Sequence, residues 1–285
     1  ANARKVADAV PQKTIVAVND SNKEKVNNQI EKLGLDDNKE GITILNAAIS
    51  DSNERYIDVM YNKLQRKGIL RRDCNRLVKN DRNIFASSIL EAGDADAMIT
   101  GLTRSYNQSL KTVMSIIDTQ KDHRVFGMSV MIAKNGRTIF MSDTSVQPDP
   151  SPKQLAHMAI ELAGVARKMG HEPRVALLSF SNFGNPLHPK TEPIREAIAL
   201  LDSEKRDFEY EGEMSADVAL NPRLADVYPF SRLSAPANIL IMPGLHTAHI
   251  SSKIMQEVGG GTLIGPVLMG LEKQAQIVPM NSTVP

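Results

Sequence analysis

The chain has 285 residues, 41% hydrophobic and 24% charged, a globular composition that excludes disorder, collagen-like repeats and a disulfide scaffold. Lys plus Arg is 34 against 33 for Asp plus Glu, a net charge of +1 with no block of five like charges, so no nucleic-acid partner is expected. Aromatic residues are 4% with no Trp, which removes base-stacking platforms, and Cys74 is the single cysteine, so a reducing, cytoplasmic location is expected.

No apolar run approaches the roughly 18 residues of a membrane span, and no secretory leader is visible. The length suits one large α/β unit or two lobes. The chain opens without Met in what reads as mid-helix (Arg4–Ala7), so it is expected to be part of a longer polypeptide.

Thr14–Asn19 is a short apolar run followed by Ser21, which caps a helical pattern through Leu33 to Gly34. Gly41–Ala47 predicts a strand, Ser52–Gly68 an amphipathic helix, and Ala97–Leu102 a buried strand after the Gly93–Asp96 turn. A parallel sheet covered by helices is the simplest arrangement of this alternation. Arg124–Ala133 and Arg137–Asp143 are strand-like runs joined through Asn135-Gly136, a strong hairpin signal. Ser151, Pro152 and Gln154 then occupy the N-cap, first and third positions of a helix ending at Gly170. Val175–Phe180, a helix near Glu192–Leu201, Ile239–Met242, a helix near Ala248–Val258 and Thr262–Leu268 complete the series, with a lobe boundary near residue 122.

Ser179–Asn185 places small hydroxyl and amide side chains directly after an apolar strand, where parallel sheets bind ligands. An ordinary turn exit fits the same residues, and both readings stay open. Gly101–Tyr106 also follows a strand, and the helix starting near Ser105 carries Lys111. Arg104 and Lys111 beside a helix N-terminus suit a phosphate or carboxylate, as does a capped surface helix with solvated cations. Glu211, Glu213 and Asp217 are three carboxylates within seven residues, readable as acid/base or metal groups or as loop hydrogen-bonding groups. His246 and His249 stand three apart without an HExxH-type signature, so no metal site is expected. Gly259–Gly261 fits a helix C-cap as well as a phosphate loop, while GxGxxG, Walker A and GxSxG patterns are absent.

In order, GDADAMITG (93–101), FMSDTSVQPDPSPKQLA (140–156), PRVALLSFSNFG (173–184), FEYEGEMSADVALNP (208–222), SRLSAPANILIMPGLHTAHIS (231–251) and GGGTLIGPVLMGL (259–271) resemble the phosphate acetyltransferase family over essentially the whole chain. The wording of the later segments looks most like the C-terminal phosphotransacetylase-like domain of large bacterial NADP-dependent malic enzymes. The resemblance implies a two-lobed α/β/α phosphotransacetylase-like fold with parallel-rich sheets and a coenzyme A cleft between the lobes. It implies a truncated first lobe of residues 1–121 plus 273–285, and a second lobe of residues 122–272 through which the chain forms a dimer or a larger homo-oligomer.

In the family the last shared motif carries a Ser-Arg pair that assists thiolate attack and binds phosphate. Counting back from Ser282-Thr283-Val284, the matching positions here are Pro279 and Met280. Two further phosphate-binding arginines of the family align with Leu64 and Lys111. The resemblance therefore implies an acetyl-CoA-binding regulatory domain without catalytic residues or cofactor of its own. Its ligand contacts would be Lys111, Arg104, Ser105, Tyr106, Ser179, Asn182, Phe183, Gly184, Asp217, His246 and Ser282. NADP and Mg or Mn would belong to a malic enzyme module of the same polypeptide. The alternative is an active phosphate acetyltransferase that makes acetyl phosphate and CoA from acetyl-CoA and phosphate.

Overall fold

A computed structural model describes residues 14–18, 23–32, 42–280 and 282. The expected helix at Arg4–Ala7, the Ser21 cap and the helix end at Leu33-Gly34 lie outside the described residues. The chain divides into two units, Ala1–Asp118 with Glu272–Pro285, and Thr119–Leu271.

In the first unit, β1 (Thr14–Val18) pairs in parallel with β2 (Ile42–Asn46), and α1 (Lys23–Lys32) lies between them in sequence. The helical reading of Ser52–Gly68 is met by α2 (Asn53–Leu64) and a short 3-10 turn, Gln65–Lys67, which ends at left-handed Gly68. Two helices that the sequence reading passed over follow, α3 (Arg71–Asn80) and α4 (Arg82–Glu91). On α3 only Cys74 and Val78 are buried, one residue per turn, so its apolar stripe is too thin to stand out in sequence. Tyr56, Ile57 and Met60 from α2 and Phe85, Ile89 and Leu90 from α4 are buried.

The strand expected at Ala97–Leu102 forms as β3 (Ala97–Gly101), but it is not a buried strand. Met98 is buried whereas Ile99 is 77% exposed, because β3 pairs among the described residues with a single strand, β10 (Gln274–Val278). The pairing is parallel and draws the C-terminal segment into the first unit. Between these strands in sequence, α5 (Tyr106–Ile116) starts at Ser105, whose Oγ accepts the Gln108 N–H.

The second unit is a six-stranded sheet in the order β7-β6-β8-β5-β4-β9, made of β4 (Phe126–Ile132), β5 (Thr138–Ser142), β6 (Arg174–Leu178), β7 (Glu209–Met214), β8 (Ile239–Ile241) and β9 (Thr262–Met269). The β5–β8, β8–β6 and β6–β7 pairings are parallel, and β4 is antiparallel to β5 and β9. The hairpin forms at Asn135-Gly136 with Gly136 at φ 80°. α6 (Pro152–Lys168) carries a full capping box, the Ser151 N–H bonding Gln154 Oε1 at 2.7 Å.

Both faces of the sheet are covered, which is why its strands read as continuous apolar runs. Phe140, Val175, Leu177, Ile239 and Ile241 point to one side, where Leu155, Ala159 and Leu162 of α6 and Ile194 and Leu201 of α7 (Glu192–Asp202) close the core. Ile139, Met141, Ala176, Leu178 and Leu240 point to the other, against Ala219 of α8 (Ala216–Leu220) and Ala248 of α9 (Leu245–Gly259). The strand alternation thus builds an α/β/α sandwich. No described helix is long and apolar enough to cross a membrane.

Candidate functional site

The helix after β6 lies on one face of the sheet and the helix after β8 on the other. Chains leaving two adjacent parallel strands toward opposite faces open a crevice at their carboxyl ends, the place where open α/β sheets take ligands. The Ser179–Asn185 loop leaves β6 at this edge, Asp217 lies in α8 just past β7, and His246 is in the first turn of α9 just past β8.

The loop is held by a side chain that the sequence presented as a candidate acid. The β6–β7 register shifts so that Leu177 faces Gly212 while Leu178 faces Met214, which makes Glu213 the extra residue of a bulge. The bulge turns Glu213 inward to 0% exposure, where Oε1 accepts Ser181 Oγ at 2.7 Å and Gly184 N–H at 3.1 Å. Arg195 Nη1 approaches the same oxygen at 3.8 Å. Asn182 and Asn185 exchange backbone hydrogen bonds at 3.1 and 3.0 Å across Phe183 (φ 52°) and Gly184 (φ 85°). Two left-handed central residues in a two-residue turn define a type I′ turn. Glycine is at home there, whereas Phe183 is strained and is compensated by ring contacts to Tyr228 and Phe230 at 5.1 and 4.8 Å.

Ser179 is tied to β7 through its N–H to the Met214 carbonyl at 2.8 Å, and its Oγ lies 3.1 Å from Ser181 Oγ. Asn182 Oδ1 accepts the Ser215 N–H at 2.8 Å, and Ser215 Oγ donates to Asp217 Oδ1 at 2.5 Å. That hydroxyl holds the exposed Asp217 carboxyl below its ordinary value. Ser179, Asn182, Phe183, Gly184 and Asp217 therefore form one hydrogen-bonded assembly, while His246 is exposed at the same edge.

The three-carboxylate cluster does not form. Glu213 holds the loop, Asp217 faces water, and Glu211, 6% exposed, accepts Arg232 Nε and Nη2 at 3.3 and 3.1 Å. Arg232 Nη1 also reaches Asp202 at 2.6 Å, and its guanidinium lies over the Tyr210 ring. Desolvation opposes its charge, yet the Glu211 and Asp202 hydrogen bonds raise its pKa above the usual range.

In the first unit, Arg104, Ser105, Tyr106 and Lys111 cluster where β3 passes into α5. Arg104 is not a solvated cation, because its Nη1 donates to Asp81 Oδ2 at 2.7 Å. Asp81 also caps α4, its Oδ1 accepting the Asn83 and Ile84 N–H groups at 2.8 and 3.2 Å. Lys111 is exposed on α5, and Leu64 is buried at the end of α2. Pro279 accepts the Ser282 N–H at 3.2 Å, Met280 is 65% exposed, and Ser282 is exposed; Thr283 and Val284 lie outside the described residues.

Sequence reasoning passed over Glu213 as an anchor, and Asp143 entirely. Asp143 is buried and gathers the Gly127, Ser145, Val146 and Gln147 N–H groups at 2.7, 3.0, 3.1 and 2.8 Å, which fixes the chain leaving β5. An Asp followed by small residues at a strand end was the available signal.

A family model described as phosphate acetyl/butaryl transferase matches residues 3–285. The chain is 49% identical over 252 residues to an NADP-dependent malic enzyme of Rhizobium meliloti, covering 88% of this chain and 33% of that protein. It is 44% identical over 270 residues to a probable NADP-dependent malic enzyme of Rickettsia prowazekii, covering 91% and 35%. The chain thus spans about a third of the length of these malic enzymes. Among solved structures, EutD phosphotransacetylase from Staphylococcus aureus superposes with a TM-score of 0.81 at 28% identity, covering 95% of this chain and 82% of that one. The fold is phosphotransacetylase-like, and the chain belongs to the phosphate acetyl/butaryl transferase family.

Proposed function

We propose that this chain is an acetyl-CoA-binding regulatory domain of an NADP-dependent malic enzyme and performs no acyl transfer itself. The observation that carries the reading is the pair Pro279 and Met280 where the family's Ser-Arg pair stands. Proline and methionine supply neither a hydroxyl nor a guanidinium fork, Leu64 removes a second fork, and Lys111 offers a point charge in place of a third. Charge developing on the phosphate in the transition state would go unmet. Losing one such donor costs about 10²–10³ in rate, so losing several ends useful turnover.

In the first unit the reading assigns ligand contacts to Lys111, Ser105, Tyr106, Ser282 and Arg104, the last already paired with Asp81; in the second it assigns them to the Ser179–Gly184 turn with Asp217 and His246. A malic enzyme converts malate to pyruvate by oxidative decarboxylation with NADP and a divalent Mg or Mn ion, which the reading places in the remaining two thirds of such a protein. Acetyl-CoA forms from pyruvate, which makes it a feedback signal; a coupling of about 1–3 kcal/mol between the sites is typical of allosteric pairs.

The reading includes self-association through the second unit. Ile250, Ile254 and Val258 recur every four residues on α9 and are 54, 57 and 82% exposed. Beside them β9 is an edge strand with Ile264 47% exposed. An apolar helix stripe next to a strand edge suits a second copy of the chain.

Two assays test the reading. Acetyl phosphate formation from acetyl-CoA and phosphate is expected to be absent, and malate oxidation by the whole malic enzyme is expected to change with acetyl-CoA. Turnover of acetyl phosphate would establish the alternative, an active phosphate acetyltransferase.

A further inference from the structure

Three places along the sheet order from β6, on the side of β4, His157 and Glu161 sit four residues apart on α6, so they share one helical face. His123, on the segment leading into β4, comes down on the same spot after a left-handed turn at Asp122 (φ 62°). One ligand atom from each of the three residues lies within 4.8 Å of the others, and His123 Nδ1 is 3.5 Å from Glu161 Oε1. The imidazole rings meet edge to face with centroids 5.0 Å apart.

The nitrogen atoms are unusual for histidines in such a place. His123 Nδ1 and His157 Nε2 are both buried without a hydrogen-bond partner, and the approach of Glu161 to His123 is not hydrogen-bonded. Buried polar atoms are normally satisfied, and two in one cluster beside a carboxylate need an explanation. A cation supplies one, since it takes both nitrogen lone pairs and the carboxylate together.

We propose that His123, His157 and Glu161 form a three-ligand site for a divalent transition metal of the zinc class. A tetrahedral ion with ligands at about 2.0–2.1 Å has ligand-to-ligand edges of about 3.4 Å. The His123–Glu161 separation already matches one edge, and small rotamer adjustments on the His157 side close the others. Two imidazoles and a carboxylate select borderline-soft ions over Mg²⁺ or Ca²⁺, which require oxygen ligands. Burial, the largest influence on His157, pushes its pKa down, against the pull of Glu161. His123 and Arg124 act in the same direction as burial, and Arg124 is exposed. The ion would clasp the lead-in of β4 to α6 and keep a fourth position open for water or an outside ligand.

The test uses purified protein stripped with a chelator and titrated with Zn²⁺ in excess Mg²⁺, alongside Co²⁺ titration followed by visible absorption. One equivalent of Zn²⁺ per chain, a raised melting temperature and an intense four-coordinate Co²⁺ spectrum are expected. His157→Ala and Glu161→Gln should each weaken Zn²⁺ binding about tenfold or more, since even outer partners of ligands are worth 10–100-fold. His246→Ala should leave binding intact. The proposal is overturned if the parent protein binds no stoichiometric Zn²⁺, or if binding is unchanged in both His157→Ala and Glu161→Gln.

Discussion

Glu213 Oε1 and Ser181 Oγ are joined by a 2.7 Å hydrogen bond inside the protein, and that bond ties a strand bulge to the loop that carries Ser179, Asn182, Phe183 and Gly184. Glu213 is a positioning residue, because it acts through the loop. Removing it frees Ser181 and Gly184 N–H and leaves Arg195 without its carboxylate. Glu213→Ala should cost about 2–4 kcal/mol in chemical denaturation, the scale of lost hydrogen bonds to a buried charge. Acetyl-CoA affinity should fall with it, whereas a variant that binds normally would show that the loop keeps its shape without the anchor.

Arg232 connects buried Glu211 to half-exposed Asp202. Arg232→Met strands Glu211 without its cation and should lower stability by about 2 kcal/mol, below the figure for a fully buried pair because the Arg232 side chain is 42% exposed. Burial alone would raise the Asp202 pKa, but hydrogen bonds from Tyr210 and Arg232 overrule it and hold the carboxyl below its ordinary value. A carboxyl with a lowered folded pKa stabilises above its unfolded value, about 3.9, and loses that contribution as pH falls through the folded value. The urea midpoint of Asp202→Asn should therefore lie below that of the parent at pH 7 and converge on it toward pH 3. A constant gap would contradict the assignment.

The exposed stripe of Ile250, Ile254 and Val258 on α9 gives a handle on the proposed self-association. Ile254 is 57% exposed in a single chain, so Ile254→Asp should leave the fold intact while shifting the oligomer to monomer in sedimentation velocity. Unchanged mass would move the interface elsewhere.

Lys111 is exposed on α5, and the proposed correspondence sets it where the family carries a phosphate-binding arginine. Lys111→Ala should weaken acetyl-CoA binding about fivefold to tenfold, the scale of one charge-assisted contact, with the melting temperature unchanged. Equal affinity would count against the correspondence.

Several elements of the second unit were legible because they announced themselves chemically: Asn135-Gly136 as a hairpin, Ser151-Pro152 with Gln154 as a helix start, and VALLSF as a strand covered on both faces. What was hidden depended on partners distant in sequence. β7 carries Glu209, Glu211 and Glu213, a pattern that reads as loop until Arg232 and Ser181 are seen to satisfy two of those carboxylates. β10 is visible only through its pairing with β3, across more than half the chain. Arg104 reads as a cation open to a ligand, and only the fold shows Asp81 already on it. The cluster of His123, His157 and Glu161 joins a loop to a helix with no motif spacing that would reveal it.

The most direct test is calorimetric titration of acetyl-CoA into the protein in phosphate buffer. Saturable heat that returns to baseline after each injection is the predicted result, binding without chemistry at a site that lacks the Ser-Arg pair. Continuing heat from turnover, with acetyl phosphate accumulating, would contradict the account, and absence of any binding heat would remove its ligand.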